Sequence, residues 1–413
     1  MKLRKYISTC AVISMIGASL LAGCGEKADK PESTPEVSVE KTEEPDEATT
    51  EPEEEKPTDA SEMSLKDEYK DLFSIGVAVN SWQLADKETL DVITKDFSSF
   101  TCENEMKPDY VLDYEKTLDS DDGMPEINTE NMDKIMTMAE EAGLKMRGHT
   151  LVWHSQTPEW LFHEDYDEEK DYVGRDTMLE RMEAYIKKVL TFCNEKHPGT
   201  VYAWDVVNEA ASDGEGLRED SPWYITIGED YIEKAFEYAR KYADKDVKLF
   251  LNDYNTEINE KRKVLYDVVA GLHEKGLIDG FGMQSHHDRE YFNADEIRTT
   301  IMKFAQLEGL EIQLTELDMH YNDNSEEAMN EQAENYRAIF DTLVELDKEG
   351  FANITNVTFW GLNDGTTWLT GHKQEDSYPL LFDENNEAKP CYYSIFDAVA
   401  ASDKYAGLKK DSE

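Results

Sequence analysis

Short apolar runs alternate with longer stretches of helical periodicity along most of this chain. Eight of the runs have the length and the β-branched and aromatic content of buried strands. We therefore predict strands over residues 73–79, 97–102, 144–149, 201–207, 247–251, 280–284, 311–315 and 354–360. Between them, apolar residues recur at steps of three and four, which is typical of amphipathic helices. This order predicts parallel strands joined by crossover helices.

Eight strand–helix units predict an α/β fold of one particular kind, the (β/α)8 TIM barrel, whose functional residues lie at the carboxyl ends of the strands. A doubly wound open sheet is the structural alternative, but no glycine fingerprint follows the first strand. We place the barrel at residues 65–405 and a short C-terminal tail at residues 406–413.

The N-terminal part of the chain has a different composition. Residues 1–23 combine a basic start, a short apolar run and small residues directly before Cys24, which resembles a bacterial lipoprotein signal peptide. A plain secretory signal with a chance cysteine is the alternative. Residues 24–64 are rich in Glu, Pro and Thr, so we expect a disordered acidic linker. The prediction is an extracellular, cell-surface lipoprotein that is lipidated at Cys24 and contacts the membrane only through that lipid anchor.

The charge of the chain limits its partners. It carries 42 Lys and Arg against 91 Asp and Glu, a net charge of −49. Because phosphate would be repelled over the whole surface, we expect no nucleic-acid partner. The nine histidines include no H-E-x-x-H pair, so we predict neither a metal nor another cofactor. We also expect a monomer.

Polar and aromatic residues collect at the ends of the predicted strands. Asn, Gln, His, Glu and Trp at one barrel mouth would offer hydrogen bonds to hydroxyl groups and flat faces to C–H groups, which is what a sugar requires. Hydrolysis of a glycosidic bond needs two carboxylic groups. Glu209 and Glu316 end the fourth and seventh strands, so they would face each other across the mouth.

Five segments at these strand ends resemble glycoside hydrolase family 10, the endo-1,4-β-xylanases. They read TCENEMKP at 101–108, GHTLVWH at 148–154, WDVVNEA at 204–210, GMQSH at 282–286 and LTELD at 314–318. The resemblance covers about residues 66–403. It implies a retaining enzyme that hydrolyses internal β-1,4-xylosidic bonds of xylan and binds xylo-oligosaccharides.

The resemblance also implies a role for each matching residue. Glu209 corresponds to the acid/base and Glu316 to the nucleophile, with their carboxyls about 5 to 5.5 Å apart as in retaining enzymes. Asn208 would bind the hydroxyl next to the reacting carbon, while His286 and Asp318 would orient the nucleophile. The glycone-side and cleavage-site contacts would be Glu103, Asn104, Lys107, His149, Trp153, Gln284, Trp360 and Trp368, and the leaving-group side would be bound by Tyr254 and Asn255.

Two alternatives remain open from the residues alone. One is a β-1,4-glucanase on the same barrel, and the other is a surface lipoprotein that binds xylo-oligosaccharides without cutting them. The pair Glu209 and Glu316 disfavours the second, because binding alone does not need two facing carboxylates. A helix starting near Asn104 would place Lys107 one turn away, so that both reach one sugar. The other four tryptophans are expected to pack or to anchor loops: Trp82, Trp160, Trp204 and Trp223.

Overall fold

Parallel strands closed into a barrel form the centre of the computed structural model, which describes residues 63–406 and side chains as far as residue 399. The strands are β1 (Ser74–Val79), β2 (Ser99–Cys102), β3 (Leu112–Asp113), β4 (Glu126–Ile127), β5 (Lys145–Trp153), β6 (Val201–Asn208), β7 (Lys248–Asp253), β8 (Gly280–Met283), β9 (His286–Asp288), β10 (Glu311–His320) and β11 (Asn353–Phe359). The predicted leader and most of the linker, including Cys24, lie outside the described residues, as does nearly all of the tail.

The barrel contains eight strands in the order β1, β2, β5, β6, β7, β8, β10 and β11. It closes because β11 pairs in parallel with β10 on one side and with β1 on the other. All eight correspond to the strands predicted from the sequence, so the predicted (β/α)8 barrel is confirmed. The three remaining strands are two or three residues long, too short to stand out in an apolar pattern.

Helices follow the strands around the barrel. They are α1 (Leu65–Tyr69), α2 (Ser81–Ala85), α3 (Lys87–Asp96), α4 (Pro108–Val111), α5 (Tyr114–Leu118), α6 (Glu130–Ala142), α7 (Arg175–Lys196), α8 (Pro222–Ile227), α9 (Tyr231–Tyr242), α10 (Asn259–Glu274), α11 (Ala294–Phe304), α12 (Glu326–Lys348), α13 (Leu369–Lys373) and α14 (Pro390–Ala406). None of these helices of residues 63–406 is long and apolar enough to cross a membrane.

Local sequence explains where several helices begin and end. The side chain of Asp86 accepts a hydrogen bond from the backbone N–H of Thr89 and caps α3, and Ser325 caps α12 in the same way through Ala328. Helix α6 ends at Gly143, whose φ of 70° is in the left-handed region that glycine adopts without strain. These ends fix where the chain turns back to the next strand.

The barrel interior contains a buried ion pair below the mouth. The guanidinium of Arg147 binds both carboxylate oxygens of Asp205 and donates to Gln313 Oε1 at 2.6 Å. It also lies 4.4 Å from the ring centroid of Phe250. Because each charge is compensated, burial is tolerated, and removal of either partner would leave an unpaired charge.

Two barrel strands continue more than two residues beyond their predicted ends. Strand β5 was predicted to end at His149 but reaches Trp153, and β10 was predicted to end at Thr315 but reaches His320. In β10 the extension contains the buried polar residues Glu316, Asp318 and His320, which an apolar pattern does not detect, whereas in β5 it follows the buried polar pair His149 and Thr150 and is itself largely apolar. Glu316 therefore lies inside a strand, where the backbone fixes it more firmly than a loop would.

Candidate active site

The carboxyl group of Glu316 is held on both oxygens. Oε1 accepts a hydrogen bond of 2.7 Å from Asn252 Nδ2, and Oε2 lies 3.2 Å from His286 Nε2. Its backbone N–H donates to the carbonyl of Gln284 at 2.9 Å. Only 6% of the side chain is exposed, so the carboxylate is fixed by strand β10 and by two side chains from neighbouring strand ends.

A second carboxylate supports His286 from behind. His286 Nδ1 lies 2.8 Å from Asp318 Oδ1, and the other oxygen of Asp318 accepts from the indole N–H of Trp368 at 2.9 Å. The pairing of β9 with β10 places His286 beside Asp318 in register. Trp368, Asp318, His286 and Glu316 thus form one continuous hydrogen-bonded chain, which brings the predicted pair His286 and Asp318 together with Glu316.

The charges in this chain favour an ionised Glu316. Burial alone would lower the pKa of His286, but the charge of Asp318 and the hydrogen bonds to Asp318 and Glu316 raise it to about 10. His286 is therefore a cation at neutral pH. Burial opposes ionisation of Glu316, but the hydrogen bond from His286 and the charges of His149 and His286 outweigh it, so the pKa of Glu316 lies below its usual range.

Glu209 has a different environment at the end of β6. Its Oε1 accepts from two neutral amides, Asn208 Nδ2 and Gln284 Nε2, each at 3.2 Å. Oε2 lies 3.8 Å from His154 Nδ1, and burial lowers the pKa of His154, so that ring is neutral at pH 7. The Glu209 side chain is 14% exposed. Within residues 63–406, no cationic side chain hydrogen-bonds the Glu209 carboxyl, whereas His286 does so to Glu316.

Asn252, at the end of β7, connects the two carboxylates and was not among the predicted site residues. Its Nδ2 donates both to Glu316 Oε1 and, at 2.9 Å, to Asn208 Oδ1. Its own Oδ1 accepts from the hydroxyl of Thr315 at 2.5 Å. Asn208 in turn contacts Glu209, so the amides of Asn252 and Asn208 form a bridge between the two glutamates.

The room for Asn252 depends on a glycine in the next strand. A Cβ atom on Gly282 would lie 2.4 Å from Asn252 Oδ1 and 3.2 Å from Arg147 Nη2. Both distances are shorter than van der Waals contact for a carbon atom. Gly282 is thus required by close approach across β7 and β8.

The predicted glycone-side residues of the second strand end lie together. Lys107 Nζ donates to Asn104 Oδ1 at 3.3 Å and to Gln156 Oε1 at 2.8 Å, and lies 5.2 Å from the ring centroid of Trp153. Glu103 Oε2 accepts from Asn80 Nδ2 at 2.7 Å. The segment from Asn104 to Lys107 is a turn rather than the start of the expected helix, because α4 begins only at Pro108, but the two side chains are in contact.

Burial shifts the pKa values of Lys107 and Glu103. Desolvation lowers the pKa of Lys107, although the charges of Glu316, Glu103 and Glu209 act in the opposite direction. Desolvation also raises the pKa of Glu103, although its hydrogen bond from Asn80 opposes the effect. Lys107 places a positive charge close to Glu209 and Glu316.

Aromatic rings form the wall between the Lys107 cluster and the His286–Glu316 pair. The ring of His149 meets Trp360 edge-on at a centroid distance of 5.3 Å and lies 6.2 Å from Trp153. Its Nδ1 lies 3.0 Å from Asp205 Oδ2, so the buried ion pair of the barrel interior orients this ring. His286 also contacts Trp360, at 6.3 Å between centroids.

The predicted leaving-group residues lie on the other side of Glu209. The hydroxyl of Tyr254 donates to Asp213 Oδ1 at 2.5 Å and accepts from Arg218 Nη2 at 3.0 Å. Arg218 also donates to the backbone carbonyl of Glu209 at 3.3 Å. Asn255, with a φ of 52°, lines a cavity of about 210 Å³ next to them. Arg218 was not predicted, and nothing in its sequence context marks it.

Comparison with known proteins identifies the family of the chain that carries this site. The model of glycosyl hydrolase family 10 matches residues 64–398. The chain belongs to glycosyl hydrolase family 10. The resemblance seen in the strand-end motifs is thereby confirmed, and with it the prediction of a glycoside hydrolase.

Several family 10 relatives are similar over most of this chain. Endo-1,4-beta-xylanase B of Butyrivibrio fibrisolvens is 45% identical over 83% of this chain, which spans only 54% of that relative's length. A putative endo-1,4-beta-xylanase of Caldicellulosiruptor saccharolyticus is 43% identical over 71% of this chain and 96% of its own. Among solved structures, xylanase 10B of Clostridium thermocellum in complex with xylohexaose is 35% identical with a TM-score of 0.76, over 81% of this chain and 67% of that one.

The tryptophans outside the predicted site of this family 10 protein differ from one another. Trp204 and Trp223 are buried, as predicted. Trp160 is half-buried and its ring lies 5.2 Å from that of Tyr114. The prediction for Trp82 is wrong, because 57% of this residue is exposed. No group of three or more His, Cys, Asp or Glu with metal-binding geometry occurs within residues 63–406, and the absence of a metal stays a prediction.

Proposed function

We propose that this protein is a retaining endo-1,4-β-xylanase in which Glu209 is the acid/base and Glu316 the nucleophile. One observation carries the assignment: Glu316 is hydrogen-bonded to a cationic His286, whereas Glu209 receives hydrogen bonds only from neutral amides. A nucleophile must be ionised before substrate binds, and a proton donor must not be stabilised as an anion.

The reaction follows from these two states. Glu316 attacks the anomeric carbon and forms a covalent glycosyl ester, while Glu209 gives its proton to the departing glycosidic oxygen. Glu209, now a carboxylate, takes a proton from water, and the resulting hydroxide equivalent displaces Glu316 from the sugar. The two inversions restore the original configuration. Asn208 lies between the carboxylates, where it would bind the hydroxyl next to the reacting carbon.

The substrate assignment is supported by the relatives, which are named as xylanases, and by the xylohexaose held by the Clostridium thermocellum structure. Xylose lacks the hydroxymethyl group of glucose. Trp360, Gln284 and Lys107 are the candidates for excluding that group. One small group discriminates by about 1 to 3 kcal/mol, so slow cleavage of aryl cellobiosides is compatible with a xylanase.

The catalytic assignment is tested with an aryl β-xylobioside whose leaving group needs no protonation. Glu209→Ala should form the glycosyl ester and then stall, and added azide should release a β-xylobiosyl azide. Glu316→Ala should lose the first step by several orders of magnitude, roughly what removal of a catalytic nucleophile costs. Glu290→Ala, an exposed carboxylate on a neighbouring loop, is the control and should behave like the parent. Parent-like turnover by Glu316→Ala would overturn the assignment.

The substrate is tested separately by counting new reducing ends from arabinoxylan and from carboxymethylcellulose. A xylanase releases them mainly from arabinoxylan. A higher catalytic efficiency on carboxymethylcellulose would favour the β-1,4-glucanase alternative. Tight binding of xylo-oligosaccharides without any new ends would favour the non-catalytic alternative.

We further propose that the enzyme is a monomer tethered to the outer cell surface through a lipid on Cys24. The support is the apolar run that ends directly before Cys24 and the acidic segment that follows it. A net charge of −49 also disfavours self-association. Cys24→Ala should release the activity into the medium or leave an uncleaved precursor, and unchanged mature membrane-bound protein would contradict the anchor. Light scattering of the isolated enzyme should give the monomer mass.

A further inference from the structure

Helix α2 places an exposed tryptophan beside the predicted glycone-binding residues. The helix begins directly after β1, and its capping residue Asn80 contacts two of those residues. Asn80 Nδ2 donates to Glu103 Oε2 at 2.7 Å, and its Oδ1 accepts from Asn104 Nδ2 at 3.3 Å. Trp82 is the second residue of this helix. The start of α2 is thus part of the wall at the glycone end of the mouth.

The helix is short but firmly fixed. Asn80 and Gln83 form a capping box, in which each side chain accepts a hydrogen bond from the other's backbone N–H. The backbone N–H of Ser81 donates to Glu105 Oε1 at 2.6 Å, and Gln83 Nε2 lies 3.5 Å from the hydroxyl of Thr366. Thr366 belongs to the segment after β11 that also carries Trp368. Helix α2 is therefore held between the loops that follow β2 and β11.

Trp82 is not packed in the hydrophobic core. It is 57% exposed, and within residues 63–406 its indole makes neither a ring contact nor a hydrogen bond. A large apolar ring on a rigid support, next to the residues predicted to bind sugar hydroxyls, is the arrangement that favours stacking on the C–H face of a sugar. The helix that carries the ring is already fixed, so stacking would not require the backbone to be ordered.

We propose that Trp82 is a stacking platform for the third xylose unit of the glycone, counted from the cleaved bond, and that Glu103 and Asn104 bind the second. The proposal rests on the proposed xylanase function. The site would take an undecorated xylopyranose ring, recognised by its flat C–H face rather than by hydrogen bonds. It would make longer xylo-oligosaccharides better substrates than short ones.

The test compares two substrates in two variants. Xylohexaose reaches the platform, whereas an aryl β-xylobioside, with two xylose units, ends before it. Trp82→Ala should lower kcat/KM for xylohexaose about 3- to 10-fold, the range of one aromatic stacking contact, mainly through KM, and leave the aryl xylobioside unchanged. Phe351→Ala is the matched control, because Phe351 is similarly exposed, at 51%, but precedes β11 at the opposite end of the barrel. It should change neither substrate.

A conservative variant keeps the test independent of folding. Trp82→Tyr retains a flat ring and should recover much of the xylohexaose efficiency that Trp82→Ala loses. An unchanged ratio of the two efficiencies in Trp82→Ala would overturn the proposal, as would an equal loss on both substrates. Absence of hydrolysis of either substrate by the parent enzyme would instead contradict the proposed function, so the two failures are distinguishable.

Discussion

His286 lies between two carboxylates, with Nε2 3.2 Å from Glu316 Oε2 and Nδ1 2.8 Å from Asp318 Oδ1. Both ring nitrogens therefore face acceptors, which requires both to carry a proton. The pKa of His286 is raised to about 10, and that of Glu316 lies below its usual range. The pair explains how a buried carboxylate remains charged at neutral pH, as a nucleophile must.

Replacement of His286 should move the acid limb of the activity–pH profile. His286 lowers the pKa of Glu316, so its removal in His286→Ala raises that pKa, and a higher pH is needed to ionise the nucleophile. The acid limb of kcat/KM on an aryl xylobioside should shift to higher pH. His273→Ala, on the surface helix α10, is the control and should leave the limb in place. An unshifted acid limb in His286→Ala would show that His286 does not tune the nucleophile.

The same pair predicts how stability depends on pH. The pKa of His286 is about 10 in the folded state against an ordinary value of 6.5. Between these two values the folded protein therefore keeps a proton on His286 that the unfolded chain loses. This contribution to the free energy of unfolding is fully present below pH 6.5 and is lost as the pH rises through about 10. Denaturant titrations should therefore show the parent losing stability between these values relative to His286→Ala. A constant difference across that interval would contradict the raised pKa.

Asn252→Ala should reduce turnover more than substrate binding. The variant removes the hydrogen bonds to Glu316 and Asn208 and leaves the hydroxyl of Thr315 without its acceptor. An unmade buried hydrogen bond costs about 1 to 3 kcal/mol, which corresponds to a roughly 5- to 150-fold loss in kcat. Steady-state kinetics on xylotetraose measure it, and a rise in KM with unchanged kcat would show that Asn252 does not position the nucleophile.

Two glycine substitutions with opposite expected effects test the packing beneath the site. In Gly282→Ala the new Cβ would overlap Asn252 Oδ1, and such overpacking should destabilise the fold by about 1 to 3 kcal/mol and also lower kcat. Gly271→Ala lies in α10 with nothing within 4 Å of the new atom, and should stabilise the fold by about 0.5 to 1 kcal/mol. Thermal unfolding and kcat of the two variants are the measurements. A Gly282→Ala enzyme with parent stability and activity would contradict the close approach.

The sequence predicts the barrel well because each strand is buried on both faces and reads as an apolar run. It predicts the strand ends less well. Strand β10 continues to His320 through Glu316 and Asp318, whose polar side chains are buried only because partners from other strands surround them. Strand β9 is invisible in the pattern, since its residues His286–Asp288 are polar and only its pairing with β10 makes it a strand.

Site residues were predictable where a motif marks them and not where only three-dimensional contact does. Glu209, Glu316, His286 and Asp318 lie in family motifs, and the structure places all four at the mouth of the barrel. Asn252 lies among several polar residues at its strand end, and nothing local distinguishes it as the one that reaches both Glu316 and Asn208. Its role follows from the space that glycine leaves in the next strand, which is a property of the packed barrel.

The most direct test of the central claim is to trap the intermediate on the nucleophile. A 2-deoxy-2-fluoro-β-xylobioside with an activated leaving group slows both steps, but hydrolysis of the ester more than its formation, so a covalent adduct should accumulate. Mass spectrometry of the digested enzyme should find the fluoroxylobiosyl group on the peptide that contains Glu316, and Glu316→Ala should remain unlabelled. Labelling of Glu209 instead, or release of a product with inverted configuration from the natural substrate, would contradict the account.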